Sequence, residues 1–508
     1  MNTDQSKIIR FEDLKEIRER HVDERLVLCH GVFDLLHVGH LKHFEAAHQF
    51  GDRLVVSLTP DEYVNKGPGR PYYNSSQRLK MLVALEVVDY VVINKHSQAM
   101  ELIEALHPDV FVKGAEFQSG RDITGAIQKE KTAIESCGGR IEFTHDEVHS
   151  SGQLLNRFFG IWDKSQSEFI DTLKDNHDSS HLMDLVQAFS SKRVLIVGEP
   201  IIDHYVFCAP KSLSSKSPSV SVQRLYEEEY PGGILAVANH LAGLGCQVDL
   251  LMADNGGKVM DLMLEEGLDS SVNLEREMVE SIPTIRKTRF VAEFQSTKLF
   301  EVFDASDDIW SNHSSVGYIQ KMTQMAETAD LVIALDYGHG LFEGSVLEAL
   351  GKLQTFLALN VQVNSANHGY NFHTKHRGFD YLALDERELR LASQSRRKTV
   401  MELAKEVLGG SPPMQLSITL GGDGSLFFDM DDDEKGVHCP SFFKDVVDTT
   451  GAGDAYFSIT SVLAQMRASP VIIPFMGNCM AGLQTRIIGN KEAVRQSEFL
   501  RTMEYILK

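Results

Sequence analysis

Two short stretches carry residues whose types and spacing suit chemistry on phosphates. In GVFDLLHVGHLKHF (31–44), His37 and His40 stand around Gly39 where an apolar run passes into a helical pattern. Three apart on one helical turn, the two imidazoles share a face. A strand-to-helix junction turns backbone N–H groups and the positive end of the helix dipole toward an anion. Imidazoles there can donate hydrogen bonds to a triphosphate as charge shifts during displacement, and Gly39 lets a nucleotide approach the backbone closely. An ordinary pair of core or surface histidines fits the same string. A zinc site fits less well, because no Cys, Asp or Glu stands at ligand spacing. His43 and His48, on the same helix, are expected to face solvent.

The second stretch is DVVDTTGAGDAYFS (445–458). Gly451, Ala452 and Gly453 expose successive N–H groups at a loop-to-helix junction, an anion hole in form. Asp454 beside them can accept a proton from an attacking hydroxyl. The alternative is a plain glycine turn with Asp454 as its cap.

The elements around these stretches alternate. RLVLCHGVF (25–33), DRLVVSLT (52–59), DYVVINK (89–95), PDVFVKG (108–114) and RIEFTH (140–145) read as buried parallel strands. Helical patterns near 40–50, 77–86, 98–106 and 126–137 separate them, which implies βαβ units with right-handed crossovers. The polar stretch 161–180 reads as a linker between a domain at 1–160 and a second α/β domain at 181–508 that opens on KRVLIVGEPIIDHYVF (192–207). Further strands are expected at 330–338, 379–385 and 415–428, and the acidic run DMDDDEK (429–435) is expected to decorate a hairpin turn.

Composition narrows the function. A chain of 508 residues exceeds what one hydrophobic core usually supports. The formal net charge of −22 argues against nucleic acid as a partner, though not against small phosphorylated substrates. Six scattered cysteines without a CxxC pair suit free thiols in a reducing compartment. The N-terminus has no apolar signal core, and no apolar run approaches the ~20 residues that span a bilayer. The chain is expected to be cytoplasmic and to have no membrane partner.

Together with GDRLVVSL, KGPGRP, QRLKMLVALEVVDYVV, DVFVKGAEF and HSSGQLL, the HVGH stretch closely resembles the cytidylyltransferase-like nucleotidyltransferases, over roughly residues 25–157. The resemblance implies a Rossmann-like fold and transfer of a nucleoside monophosphate from an NTP to a sugar phosphate, with release of pyrophosphate. By matching position, His37 and His40 would act on the triphosphate. Phe33, Asp34 and Gly39 would form the nucleotide-binding turn, and Lys66 and Arg70 would meet phosphate or acceptor. Ser150 and Ser151 would meet phosphates at the last helix, or serve as a plain N-cap. Cytidine-specific members carry an Arg-Thr-x-Gly stretch before the Ser pair. FTHDEVHSSG (143–152) has none, which favours ATP over CTP.

DTTGAGD is the hallmark of the ribokinase-like (PfkB) carbohydrate kinases, which residues 185–508 resemble. The resemblance implies an α/β domain with a small β lid built from strands around 205–230 and 283–303, and dimerisation through that lid. It makes Asp454 the catalytic base. Asp203, Gly232 and Gly233 would bind sugar, Thr419, Gly421 and Asn478 would line the ATP site, and Asp385 and Glu388 would place Mg²⁺ indirectly. No GxxxxGK[ST] string occurs, which removes P-loop kinases. Arg286, Lys287 and Arg289 in IPTIRKTRFV would hold a substrate phosphate or edge a solvated strand.

The two halves together resemble the bifunctional enzymes of ADP-heptose synthesis, with the domain order reversed. In those, a kinase phosphorylates a heptose 7-phosphate at C1 and a transferase adenylylates the product. Ala236 stands where the kinase family carries a sugar-binding asparagine, and His339 and Asp385 replace a usual lysine and asparagine. Losing that amide weakens binding of the standard sugar by about 1–3 kcal/mol. Other readings stay open: a kinase for another sugar or polyol joined to a CTP-using transferase, or one half serving as a sensing or scaffolding module.

Overall fold

A computed structural model describes the chain apart from residues 1–4, 65–70, 97, 115–125, 145–161, 214–219, 280–281, 283, 296, 305–311, 365–366, 368, 410–413, 431–435 and 508. Lys66, Arg70, Ser150 and Ser151 therefore lie outside the described residues, as does most of the acidic run. The chain forms two compact units, Met1–Asp163 with Leu500–Lys508, and Lys164–Phe499.

The first unit is built on a parallel sheet. Its strands are β1 (Ile8–Ile9), β2 (Leu26–Gly31), β3 (Arg53–Leu58), β4 (Tyr90–Ile93), β5 (Val110–Gly114) and β6 (Arg140–Thr144), in the order β1-β4-β3-β2-β5-β6. Side chains alternate across a strand, so each apolar run feeds both faces. Leu26, Leu28, Val55 and Phe111 enter one buried cluster, and Val27, Cys29, Leu54 and Val110 enter the other. Sheets covered on both sides need such unbroken runs. The expected strands and helices are all present, joined by β1 and the helix Leu14–Arg20, which the pattern did not indicate.

The second unit carries a nine-stranded sheet and a four-stranded one. The large sheet comprises β7 (Arg193–Gly198), β10 (Gln247–Asp254), β11 (Asn273–Met278), β14 (Leu331–Asp336), β15 (Phe356–Val361), β16 (Tyr381–Asp385), β17 (Gln415–Thr419), β18 (Ser425–Asp429) and β19 (Val437–Cys439). It is parallel from β11 through β10, β7, β14, β15 and β16 to β17, and closes with antiparallel β18 and β19. The small sheet has the order β13-β12-β8-β9, from β8 (Pro200–Leu213), β9 (Val220–Gly233), β12 (Ile285–Ala292) and β13 (Thr297–Asp304). This is the expected lid.

Residues 164–176, within the stretch read as a linker, form a helix whose Phe169 meets Phe442 and Phe475 of the same unit at 6.3 and 6.4 Å between ring centroids. All six cysteines are free. Among the described residues no helix is long and apolar enough to cross a membrane.

Candidate functional site

In the first unit β2 feeds a turn and then the helix Val38–His48. Phe33 holds φ at +47°, a left-handed backbone that a bulky residue keeps only when its surroundings enforce it. Its buried ring meets His40 edge-on at 5.4 Å and Phe44 at 5.0 Å. His37 is the N-cap: its Nδ1 accepts the Gly39 N–H at 3.1 Å, an assignment that puts the neutral ring's proton on Nε2. The His37 and His40 rings lie against each other, with centroids 3.9 Å apart and 32° between planes. The helix start thus presents paired imidazoles beside its first N–H groups. Asp34 is buried, and its two oxygens accept the N–H groups of Tyr72 and Tyr73 at 2.9 Å, so it fixes the neighbouring loop.

Two residues of this region escaped the sequence reading, and a third was read wrongly. Arg78, fully buried, donates to the carbonyls of Val32 (2.5 Å), Thr59 (2.9 Å) and Tyr73 (3.0 Å) and to Asp61 at 2.6 Å. Arg78→Ala would strand those acceptors. A loss of about 3–5 kcal/mol is expected, read as a lowered unfolding midpoint of the first unit. Lys113 pairs with Glu130 at 2.7 Å, both largely buried. Its signal was its place at the C-terminal end of β5, where open α/β sheets collect ligands. His43 does not face solvent as expected. Its Nδ1 lies 2.9 Å from Thr144 Oγ1 on β6, and burial, with the Lys113 charge, pushes its pKa down to about 4.

In the second unit, two adjoining cavities open at the C-terminal ends of the parallel strands, of about 400 and about 890 Å³. They share Asp385, Thr419, Thr449, Gly453 and Tyr456 as walls. Asp203, Gly233, Gly451, Asp454, Asp385 and Glu388 line the smaller; Thr419, Gly421, Ala452, Gly453 and Asn478 line the larger. Asp454 sits in the first turn of the helix Ala452–Gln465, 9% exposed. Its Oδ1 accepts from Gln362 Nε2 at 2.8 Å and from the Tyr337 hydroxyl at 3.2 Å. Burial raises its pKa to about 6, against those two donors and the Lys287 charge. Sequence reasoning missed Tyr337 and Gln362 as its partners: they follow the ends of β14 and β15, and no motif marks them.

Gly451 takes φ +79°, and a Cβ there would lie 2.1 Å from Asn490 Oδ1. The other end of that amide donates to Asp203 at 3.2 Å. Gly451→Ala therefore strains the turn and displaces Asn490. Steady-state assays should show at least about tenfold lower kcat/KM, the equivalent of 1–2 kcal/mol of left-handed strain or slightly more. Asp203 also pairs with Arg289, and a Cβ on Gly232 would meet its Oδ2 at 2.5 Å, so Gly232 lies beneath this carboxylate.

Asp385 and Glu388 form a capping box at the helix Glu386–Ala392. Glu388 accepts the N–H groups of Asp385 and Val363, and burial followed by the Asp385 charge raises its pKa to about 8. Asn478 spends its amide N–H groups on the carbonyls of Cys439 (2.9 Å) and Pro440 (3.3 Å), so it shapes the larger cavity's wall. Ala236 is buried in the helix Ile234–Gly243; Asn239, one turn on, bonds Gly267 and Asp269 and does not stand in for the missing amide. His339 donates its backbone N–H to Glu199 at 2.9 Å, and Glu199 also takes those of Tyr337 and Leu341, tying the loop after β14 to β7's end.

Known proteins resemble both units. A cytidylyltransferase-like family model matches residues 28–180, and the pfkB family carbohydrate kinase model matches 191–467, more than half of the chain. The bifunctional protein HldE of Koribacter versatilis is 41% identical over 142 residues, 27% of this chain and 28% of the relative. That of Desulfatibacillum aliphaticivorans is 28% identical over 308 residues, 60% of this chain and 62% of the relative. The matched stretches thus span less than two thirds of these relatives' own length. Phosphofructokinase-2 from Escherichia coli, solved with substrates and products, is 12% identical and superposes at a TM-score of 0.50, covering 62% of this chain and all of that one, a likeness of fold.

Proposed function

We propose, from the premise that this chain belongs to the pfkB family of carbohydrate kinases, that it is a bifunctional sugar kinase and sugar-1-phosphate adenylyltransferase. The second unit would phosphorylate a heptose-like sugar phosphate at C1, and the first would join the sugar 1-phosphate to AMP from ATP once a separate phosphatase has removed the phosphate the sugar already carried. The observation that carries the reading is the position of Asp454. It lines the sugar-sized cavity beside Gly453, a wall which that cavity shares with one large enough for a nucleotide, at a helix start.

In this reading Asp454 takes the proton from the acceptor hydroxyl as that oxygen attacks the γ-phosphoryl group of ATP. A base needs a pKa near the working pH, and burial lifts Asp454 toward it. Gln362 and Tyr337 fix the carboxylate's orientation. The N–H groups of Gly451 and Gly453 would meet the charge that develops on the phosphate; that of Ala452, expected to join them, is spent on the Thr449 carbonyl at 3.3 Å. Asp203, held by Arg289 and Asn490, grips sugar hydroxyls.

Magnesium fits the donors present. Among the described residues no group of three or more His, Cys, Asp or Glu could hold a metal alone. Mg²⁺ keeps several waters and takes one or two carboxylates plus substrate phosphates, which suits Asp385 with Glu388 behind it. When bound it neutralises phosphate oxygens.

In the first unit His37 and His40 would hold the triphosphate of a second ATP, and the sugar 1-phosphate would displace pyrophosphate. The order of the two units carries no part of the proposal, because a released sugar phosphate reaches the other unit by diffusion. Exposed Leu225, Tyr226, Phe300 and Val302 on the lid favour pairing of two lids. The test is ADP release from ATP and Mg²⁺ over a panel of sugars and sugar phosphates. Turnover confined to a heptose phosphate supports the reading; no turnover on any sugar refutes it.

A further inference from the structure

The β12 segment Arg286-Lys287-Thr288-Arg289 places three cations at the lid, and two are spoken for. Arg286 pairs with Glu229, and Arg289 with Asp203 and, at 2.9 Å, with Glu301. Lys287 differs. It is 7% exposed and lines the smaller cavity, and among the described residues no carboxylate lies within ion-pair distance of its ammonium. Its neighbours are the rings of Tyr337 and Phe303, at 5.4 and 5.5 Å from Nζ.

Ring faces attract an ammonium, but they do not replace the water it has left or a counter-charge. Buried charges are ordinarily paired. This one is held at the wall of a cavity, with its pKa lowered chiefly by burial. It also lies close enough to Asp454 for its charge to favour that carboxylate. Asp203, Asp454 and Glu301 attract it from beyond ion-pair distance, and the direct contact its ammonium lacks is left to whatever fills the cavity.

We propose that Lys287 is the anion-binding residue of the acceptor cavity and takes a phosphoryl oxygen. Two sources share that chemistry: a phosphate already on the sugar, and the γ-phosphoryl group on its way to the hydroxyl at Asp454. The proposal rests on the kinase reading for its substrate, and it deepens that reading by assigning the acceptor cavity a phosphate contact.

Calorimetric titration of the full chain with inorganic phosphate tests it, with Lys287→Met beside the unchanged protein. Methionine keeps the length and the ring contacts and removes a buried charge, so the variant's unfolding midpoint should not fall. A charge-assisted hydrogen bond corresponds to about 10- to 100-fold in affinity. The variant should bind phosphate weaker by that factor, and Lys287→Arg should recover part of it.

Repeating the titration with a saturating non-hydrolysable ATP analogue separates the sources. A difference that persists assigns Lys287 to the sugar's own phosphate; a difference that vanishes assigns it to the γ-phosphoryl group. Equal phosphate affinity of Lys287→Met and the unchanged protein without the analogue overturns the proposal. This binding readout needs no turnover, so a failure of the kinase reading would show separately, as no ADP from the unchanged protein.

Discussion

Asp454→Asn is expected to lower sugar phosphorylation by about 10²–10⁴-fold, the usual contribution of a positioned general base. Nucleotidyl transfer to supplied sugar 1-phosphate should be unchanged. Asparagine keeps an oxygen that can accept from Gln362 and Tyr337, so the geometry survives while the proton acceptor is lost. The same substitution should raise stability. Burial lifts the folded pKa of Asp454 from an ordinary 3.8 to about 6. The folded state therefore binds the proton more tightly than the unfolded chain. Stability falls as pH rises from 3.8 to 6 and stays reduced above that, by roughly 3 kcal/mol at most. Thermal melts at pH 8 should favour the variant, and melts below the ordinary carboxylate pKa should not. In the unchanged protein the kinase rate should fall on the acid side of about 6, where Asp454 is protonated. Equal kinase rates for variant and unchanged protein would remove Asp454 from the chemistry.

His40→Ala should do the reverse: nucleotidyl transfer lower by about 10²–10³-fold, the usual effect of deleting one donor to developing charge, and the kinase rate untouched. The His40 ring lies between His37 and Phe33 at the helix start, so it is aimed by packing as well as by the backbone. His37 has two duties, because it also caps the helix. His37→Asn separates them. Asparagine is among the best N-caps and should keep the about 1 kcal/mol the cap contributes, yet it carries no imidazole, so transfer should still fall. Stability retained with transfer lost is the expected pair of readings. Transfer retained in both variants would make the histidines structural.

The central strands of the first unit, some of the second, and the two glycine-bearing junctions were legible in the sequence for a local reason. Runs such as LVLC and LVIALD must be buried on both faces, and a helix start that needs a glycine shows it within a few residues. What was not legible depends on distant partners. Tyr337 and Gln362 reach Asp454 across 117 and 92 residues of sequence. Arg78 binds carbonyls, which leave no trace in side-chain types. His43 looked exposed on its helix, and Thr144 of β6, 101 residues on, covers it. Of the three basic residues at 286–289, spacing alone could not say that Arg286 and Arg289 spend their charge on Glu229 and Asp203 while Lys287 keeps its own.

The central claim is that one chain makes a nucleotide-activated sugar in two steps. ³¹P NMR of the purified protein with ATP, Mg²⁺ and heptose 7-phosphate, and in parallel with CTP and other sugars, follows every phosphorus atom at once. The predicted result is a sugar bisphosphate from ATP and heptose 7-phosphate and, once an added sugar phosphatase has removed the original phosphate, pyrophosphate and a nucleoside diphosphate sugar, with ATP the only nucleotide needed. No nucleoside diphosphate sugar under either nucleotide after the phosphatase has acted, or ATP left intact with every sugar, would contradict it.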